Sequence, residues 1–582
     1  MVIRIKKLYP EVLFLIALIL TYAIIAVQKT ALHFSIAETD TQAFFWFARK
    51  ISESDSVFKF IISMYTGVFE HANRHPLFPM LMNIFIEDGI NWFIKIKIFN
   101  IILGLVFVLI FYFIIKKEAG IVAASISAFL LIFNDTFIFQ STMVSSEPLL
   151  LIFSFMSFYF LYKGLDDSRL WLLAAVCLGL TFLTKVSALF IVMGFALFLF
   201  FNVKGRFWTL LNNRNLWLFA VIFAIIISPI LVRNTIVYKF PFYNENIDYL
   251  AMDRADWFAG EYLPDFTDLF EQNILYFVKR FFFGLYEETK QLIYSLYTFF
   301  IYYRVKFVSN PYTWFEKFLG AFSGIIVFIS AIFGFVKIQV SSEKKRLILF
   351  LFFSFFLPLS WYSITSPHKR YCLPLTVYLI FFASCGIIIF LKSIMVQRHI
   401  KVYFKNYLIK INTQVLISVV MFIFSVCMIW NNGLVSPYNS IKIEDGYFEI
   451  ADYLNAKLSK GEYYYKRGGH TYTYHIDNPE LEMKSVSKRV LYSYDEFVLI
   501  MKSFPKIRYI LIDSETYHFS SQAVKGYITK EKKDKYINLG DSTGLLLIKD
   551  IPGWKVVMMD DNPPYDYILF ERIESTEKKL LE

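Results

Sequence analysis

Eleven apolar runs, at about 11–27, 98–115, 119–133, 147–162, 170–184, 187–202, 216–232, 318–337, 347–364, 372–391 and 414–430, dominate the sequence and constrain it most. A bilayer core takes about 20 apolar residues per helix, somewhat fewer where the ends snorkel or protein caps the helix. The runs therefore predict a polytopic α-helical membrane protein of about 11 transmembrane helices. A soluble core offers no alternative. Of 582 residues, 57% are hydrophobic and only 18% charged, whereas single cores stop growing near ~250–300 residues. A cytosolic enzyme, a disordered chain and a disulfide scaffold are all excluded. Cys177, Cys372, Cys385 and Cys427 lie inside apolar runs, where a thiol behaves as a small hydrophobe. No internal repeat is found. The net charge of +11 is dispersed between the runs, which suits membrane topology and argues against a nucleic-acid partner.

The polar connections alternate in character. One set is short and basic: Arg4, Lys6 and Lys7; Lys116 and Lys117; Lys163 and Arg169; Lys204, Arg206 and Arg214; Lys337, Lys344, Lys345 and Arg346; and Lys392, Arg398, Lys401, Lys405 and Lys410. Basic short loops remain on the cytoplasmic side. The other set, with long loops at 28–97 and 233–317 and short turns near 134–146, 185–186 and 365–371, then faces outward, and an odd number of spans puts the tail outside too. The N-terminal run, with its basic flank and no small-residue cleavage site, is read as a retained signal anchor. Segment 274–303 mixes aromatics with Lys279, Arg280, Glu287, Glu288 and Lys290. Charges are costly in hydrocarbon, so it is read as an interfacial amphipathic helix.

From about 433 the composition becomes polar and mixed. The helical spacing of Phe448, Ile450, Ala451, Leu454 and Leu458 in 446–460, followed by strand-like 508–514, 544–550 and 565–573, predicts a soluble extracytoplasmic α/β domain over 433–582. The membrane domain is expected to fill 1–432.

Polar residues gather at the outer ends of the apolar runs. A-E-T-D-T-Q-A-F-F-W-F-A-R-K (37–50) places Glu38 and Asp40 after the first run, with Phe44, Phe47 and Ala48 spaced as on a surface helix. N-R-H-P-L-F-P (73–79) offers Arg74 and His75 beside two prolines read as a rigid turn. The turn 134–150 carries Asp135 and sets Glu147 directly before Pro148 and an apolar run. Lys185, Arg233, His368, Lys369 and Arg370 follow on later outward connections. Singly, an acid before a helix is a cap and an interfacial cation is an anchor. Convergence on one membrane face points further. Cations suit a lipid phosphate, and a carboxylate beside them can take the proton of an attacking hydroxyl. Neither a Walker loop nor a dinucleotide glycine fingerprint is present. His470 and His475 lack a third ligand close by, so neither metal nor cofactor is expected.

The strings D-T-Q-A-F-F-W-F-A-R (40–49), R-H-P-L-F-P (74–79), S-E-P-L (146–149), F-L-T-K (182–185), P-I-L-V-R-N (229–234) and H-K-R-Y (368–371) are in an order that resembles the polytopic lipid-phosphate-sugar glycosyltransferases of the C superfamily. That group includes protein O-mannosyltransferases and the aminoarabinose transferase of lipid A. The resemblance covers roughly residues 1–395. It implies a multi-pass cell-membrane enzyme that moves a sugar from a polyprenyl-phosphate donor to a protein, lipid or glycan acceptor at the outer face, by a single inverting displacement. It further implies that Asp40 is the base or orients the acceptor, that Glu147 assists, and that Arg74, Lys185, Arg233 and Arg370 meet the donor phosphate. Glu38, His75, Asp135, His368 and Lys369 are further candidates. Many members carry Asp-Glu at the first motif, where this chain has Asp40 followed by Thr41.

Two rivals belong to other classes. A lipid or glycan transporter would show repeats, or charged or broken helices near the midplane, whereas the ionisable residues here cluster at helix ends. A non-catalytic scaffold presenting 433–582 would leave Asp40 and Glu147 freely replaceable.

Overall fold

Each of the eleven apolar runs matches a helix of the computed structural model, with overruns of at most two residues at an end. The structure describes residues 2–32, 41–54, 56–69, 75–86, 91–202, 212–244, 251, 271–297, 314–365, 368–394, 400–404, 407–411 and 413–432, and beyond these 450, 453–454, 456–457, 463–466, 507–513, 536–538, 546–548, 554–559 and 567–573. In chain order come α1 (Val2–Leu32), α2 (Thr41–Ser52), α3 (Val57–Tyr65), α4 (Leu77–Met82), α5 (Asn91–Ala119), α6 (Ile121–Ile132), α7 (Asp135–Thr142), α8 (Glu147–Gly164), α9 (Leu170–Thr184), α10 (Ala188–Asn202), α11 (Arg214–Tyr238), α12 (Ile274–Ser295), α13 (Trp314–Lys337), α14 (Ser342–Tyr362) and α15 (Leu373–Ile394). An antiparallel hairpin of β1 (Ile400–Phe404) and β2 (Tyr407–Ile411) precedes α16 (Thr413–Asn432).

This is a polytopic helical membrane fold. Among the described residues, six helices are long and apolar enough to cross a bilayer, within α1, α5, α11, α13, α14 and the segment Lys369–Leu391. Helices α6, α9 and α10 have 12, 15 and 15 residues. At 1.5 Å per residue they rise only about 18–23 Å, less than the hydrocarbon thickness, and much of their surface is covered by neighbours. The bundle has an apolar core that also holds hydrogen-bonded hydroxyl pairs, and an apolar outside. Thr21 meets Ser425 at 2.9 Å between α1 and α16, and Ser127 donates to Ser384 at 2.6 Å between α6 and α15. Outward faces carry residues such as Trp217, Ile225, Phe322 and Ile329. Lipid tails supply no hydrophobic drive between helices, so close packing and such hydrogen bonds hold the bundle together. Helices α13 and α15 approach through glycines: a Cβ on Gly334 would stand 1.9 Å from the carbonyl oxygen of Phe382.

Helix α12 covers the segment expected to be interfacial, and its amphipathicity is inverted relative to a soluble helix. Arg280, Glu287, Glu288 and Gln291 are buried, while Ile274, Leu275, Val278, Phe282 and Tyr286 are exposed. The charges avoid lipid by facing protein, a solution that a one-dimensional charge count does not reveal.

The second compact unit contains a four-stranded sheet in the order β3–β4–β8–β7, from β3 (Tyr463–Lys466), β4 (Ile507–Asp513), β7 (Trp554–Met559) and β8 (Tyr567–Arg572), with β3 and β4 parallel and the other pairs antiparallel. Strands β5 (Tyr536–Asn538) and β6 (Leu546–Ile548) form a separate pair. Strands β6 and β8 fall within two of the strand-like stretches of the sequence, and β4 matches the third with a one-residue offset. Ile450 and Leu454, from the expected helix, are buried, as are Tyr509, Ile510, Leu569 and Phe570.

Candidate functional site

Helix starts and ends bring the polar residues together. Glu147 opens α8 with Pro148 behind it, where a proline lacks only an amide the helix does not use. The carboxyl is not left as a simple cap. Lys185, the residue ending α9 in extended conformation, places its Nζ 3.0 Å from Glu147 Oε1. Ser145 Oγ lies 2.6 Å from Oε2. Asn100 on α5 steadies this turn by donating from Nδ2 to the carbonyls of Met143 (2.6 Å) and Ser145 (2.8 Å).

A third connection closes the cluster. The short 3-10 turn Lys369–Cys372 leads into α15. Tyr371 presents its ring to Lys185 Nζ at 4.9 Å and to the Arg370 guanidinium at 5.1 Å. Such cation–ring contacts hold charge without neutralising it. Lys369 Nζ reaches Asp135 Oδ2 at 2.6 Å, and Asp135 is buried at the first position of α7. His368 is exposed, with its ring 5.7 Å from that of Tyr371. Turns separated by up to 234 positions thus meet in one charged cluster.

Arg233 belongs to a neighbouring pocket. Near the end of α11 it is buried, and its Nε and Nη2 donate to Asn234 Oδ1 at 3.1 and 2.8 Å. Asn234 Nδ2 in turn donates to the carbonyls of Pro241 (3.0 Å) and Tyr243 (2.9 Å). His75, Phe182, Val186 and Ile230 complete the cavity beside Arg233, with His75 edge-on to Phe182 at 5.1 Å. Residues 182–186 border both this cavity and the Lys185 cluster. Pro76 and Pro79 begin α4 and do not form a free turn, because the first-turn amides they lack would have no helical partner. Phe44, Phe47 and Ala48 lie on α2 and are buried. Glu38, Asp40 and Arg74 lie outside the described residues. Among the described residues, no group of three His, Cys, Asp or Glu is arranged to hold a metal ion.

Tyr371, Ser145, Asn100 and Asn234 were not singled out from the sequence. Tyr371 and Asn234 adjoin the quoted arginines, a signal that adjacency supplies. Asn100 stands within an apolar run and gives none.

Residues 73–232 match the family described as dolichyl-phosphate-mannose-protein mannosyltransferase. The match spans less than a third of the chain and is a likeness over that segment. An archaeal oligosaccharyltransferase from Archaeoglobus fulgidus, tethered to an acceptor peptide containing an NVT sequon, is 10% identical and superposes with a TM-score of 0.51, over 93% of this chain and 74% of that one. ArnT from Cupriavidus metallidurans bound to undecaprenyl phosphate is likewise 10% identical, with a TM-score of 0.49 over 96% of this chain and 98% of its own. No curated protein matches the sequence.

Proposed function

We propose that this protein moves a sugar from a polyprenyl-phosphate donor to an acceptor at the outer face of the cell membrane, in one inverting displacement. The acceptor hydroxyl attacks the anomeric carbon as its proton passes to Asp40. The bond from that carbon to the phosphate oxygen breaks, and the electron pair leaves with the polyprenyl phosphate. Lys185, Arg370, Arg233 and Arg74 offset the negative charge that grows on the leaving phosphate. Lys369, His75 and His368 are further ligands of the same kind. Glu147 is engaged by Lys185 and Ser145, which makes it a weak base and suits it to holding the cation in place. Asp135 serves Lys369 in the same way, and Glu38 adds negative charge near the acceptor. The domains are taken as 1–432 for transfer and 433–582 outside the membrane.

The observation that supports this reading is the meeting of Glu147, Lys185 and Arg370 from three separate connections around Tyr371. Its test is complementation of cells lacking the gene with wild type, Asp40→Asn or Glu147→Gln at matched expression, with mass spectrometry of surface glycans and polyprenyl-phosphate sugars. Loss of one sugar from its acceptor, with accumulation of its lipid-linked donor, is expected in the null and Asp40→Asn strains. Full restoration by Asp40→Asn would overturn the assignment of the base and favour a transporter or scaffold.

A further inference from the structure

Glu288 is the buried acid that the transfer chemistry leaves unused. Its side chain sits in mid-α12 and is wholly inaccessible to solvent. The approach that brings it there is close: a Cβ on Gly284, one turn earlier, would lie 2.3 Å from the carbonyl oxygen of Ser360 on α14. One turn on, Glu288 accepts from both ends of a single connection. Ser363 Oγ donates to Oε2, just after α14, and Cys372 Sγ donates to Oε1 at 3.0 Å, just before α15. Between those two anchors lie His368, Lys369, Arg370 and Tyr371.

The same helix also holds the acidic turn. Ser295, in its last turn, shares a hydrogen bond of 2.5 Å with Thr376 on α15. Asn134 Nδ2 donates to the carbonyls of Ser295 (2.7 Å) and Tyr297 (3.4 Å), and the Asp135 amide donates to Tyr297 at 3.1 Å. Asp135 is the partner of Lys369. Helix α12 thus grips both sides of the Asp135–Lys369 pair through contacts that are independent in sequence. A buried carboxyl with two donors is costly to leave half satisfied, so the two ends of the 363–372 connection are fixed in relation to each other.

The geometry points to Glu288 as a positioning residue that fixes the spacing of the 363–372 connection and so aims Lys369 and Arg370 at the donor phosphate. This rests on the donor-phosphate reading of those cations. It assigns α12 a role in aligning the site, in place of mere surface attachment.

The test uses the full chain in lipid nanodiscs with two readouts. The first is hydrogen exchange of 363–372 and 134–137. Glu288→Ala is expected to speed exchange there about tenfold, with α9 unchanged, while Glu288→Gln, whose amide oxygen accepts from Cys372 and whose NH2 donates to the Ser363 hydroxyl in the same shape, stays within about twofold of wild type. The second is binding of undecaprenyl phosphate. Glu288→Ala is expected to weaken it about tenfold, and the loss in Glu288→Ala combined with Arg370→Ala should fall short of the product of the two single losses, as for residues acting through one another. Unchanged exchange in Glu288→Ala overturns the proposal, as do losses that multiply in the double variant. If Arg370→Ala binds the lipid as tightly as wild type, the donor-phosphate reading fails by itself, and the exchange result still decides whether Glu288 holds the connection.

Discussion

Replacing Lys185 by methionine keeps most of the side-chain volume and removes the charge opposite Glu147. The Glu147 side chain is 5% accessible and that of Lys185 27%, so the two ends of the pair stand in different media. Breaking a fully buried pair from one side costs about 3–5 kcal/mol, and an exposed pair contributes about 0–1 kcal/mol. With the acid buried, and with Ser145 and Arg370 still near it, Lys185→Met should cost about 2–3 kcal/mol. Glu147→Gln should cost less, about 1 kcal/mol, because the remaining ammonium reaches water and lies over the Tyr371 ring. The asymmetry is the diagnostic quantity. Equilibrium denaturation of the full chain in mixed micelles, for both single variants and the double, gives the two costs and their coupling. Costs equal to within about 0.5 kcal/mol, or a coupling below that value, would show a surface pair and refute the claim that tertiary structure buries this acid.

Asn234 uses both faces of its amide, so Asn234→Asp, which cannot donate to Pro241 and Tyr243, should destabilise the protein by about 2 kcal/mol. The same variant should weaken donor binding through Arg233, measurable as a raised KM. Gly334→Val should disrupt the α13–α15 contact and lower the yield of folded protein in size-exclusion chromatography, whereas Gly120→Ala, open to solvent but at φ 88°, should cost about 1–3 kcal/mol through backbone strain alone. In the strand unit, partial burial pushes the Glu571 carboxyl up, but Lys555 and Arg508, at 2.9 and 3.1 Å, outweigh it and hold it below its ordinary value. A lowered folded value means that stability is full above about pH 4.3 and declines as pH falls through the folded value. Protection factors in β4 and β8, taken against the intrinsic exchange rate at each pH, should therefore fall on acidification, and Glu571→Gln should flatten that dependence.

The spans were legible because lipid acts on every residue of a helix surface, so a run such as 98–115 shows its nature in composition alone. The charged cluster was legible as a set of helix ends: Glu147 before Pro148, Lys185 between two runs, Lys369 and Arg370 before α15. The inverted face of α12 was not legible. Arg280 and Glu288 read as charges that keep a helix at the surface until Trp361 on α14, Ser363 and Cys372 are seen to receive them.

Sequence by itself determined that this chain lives in a membrane, where its apolar helices lie, and which ionisable residues stand near their ends, because hydrophobicity, proline placement and charge act locally. Only the tertiary structure decided that Glu147 pairs with Lys185, Asp135 with Lys369, and Glu288 with both ends of one connection. Those pairings depend on distances across 38, 234 and 75–84 positions, which helix packing sets and local sequence does not encode.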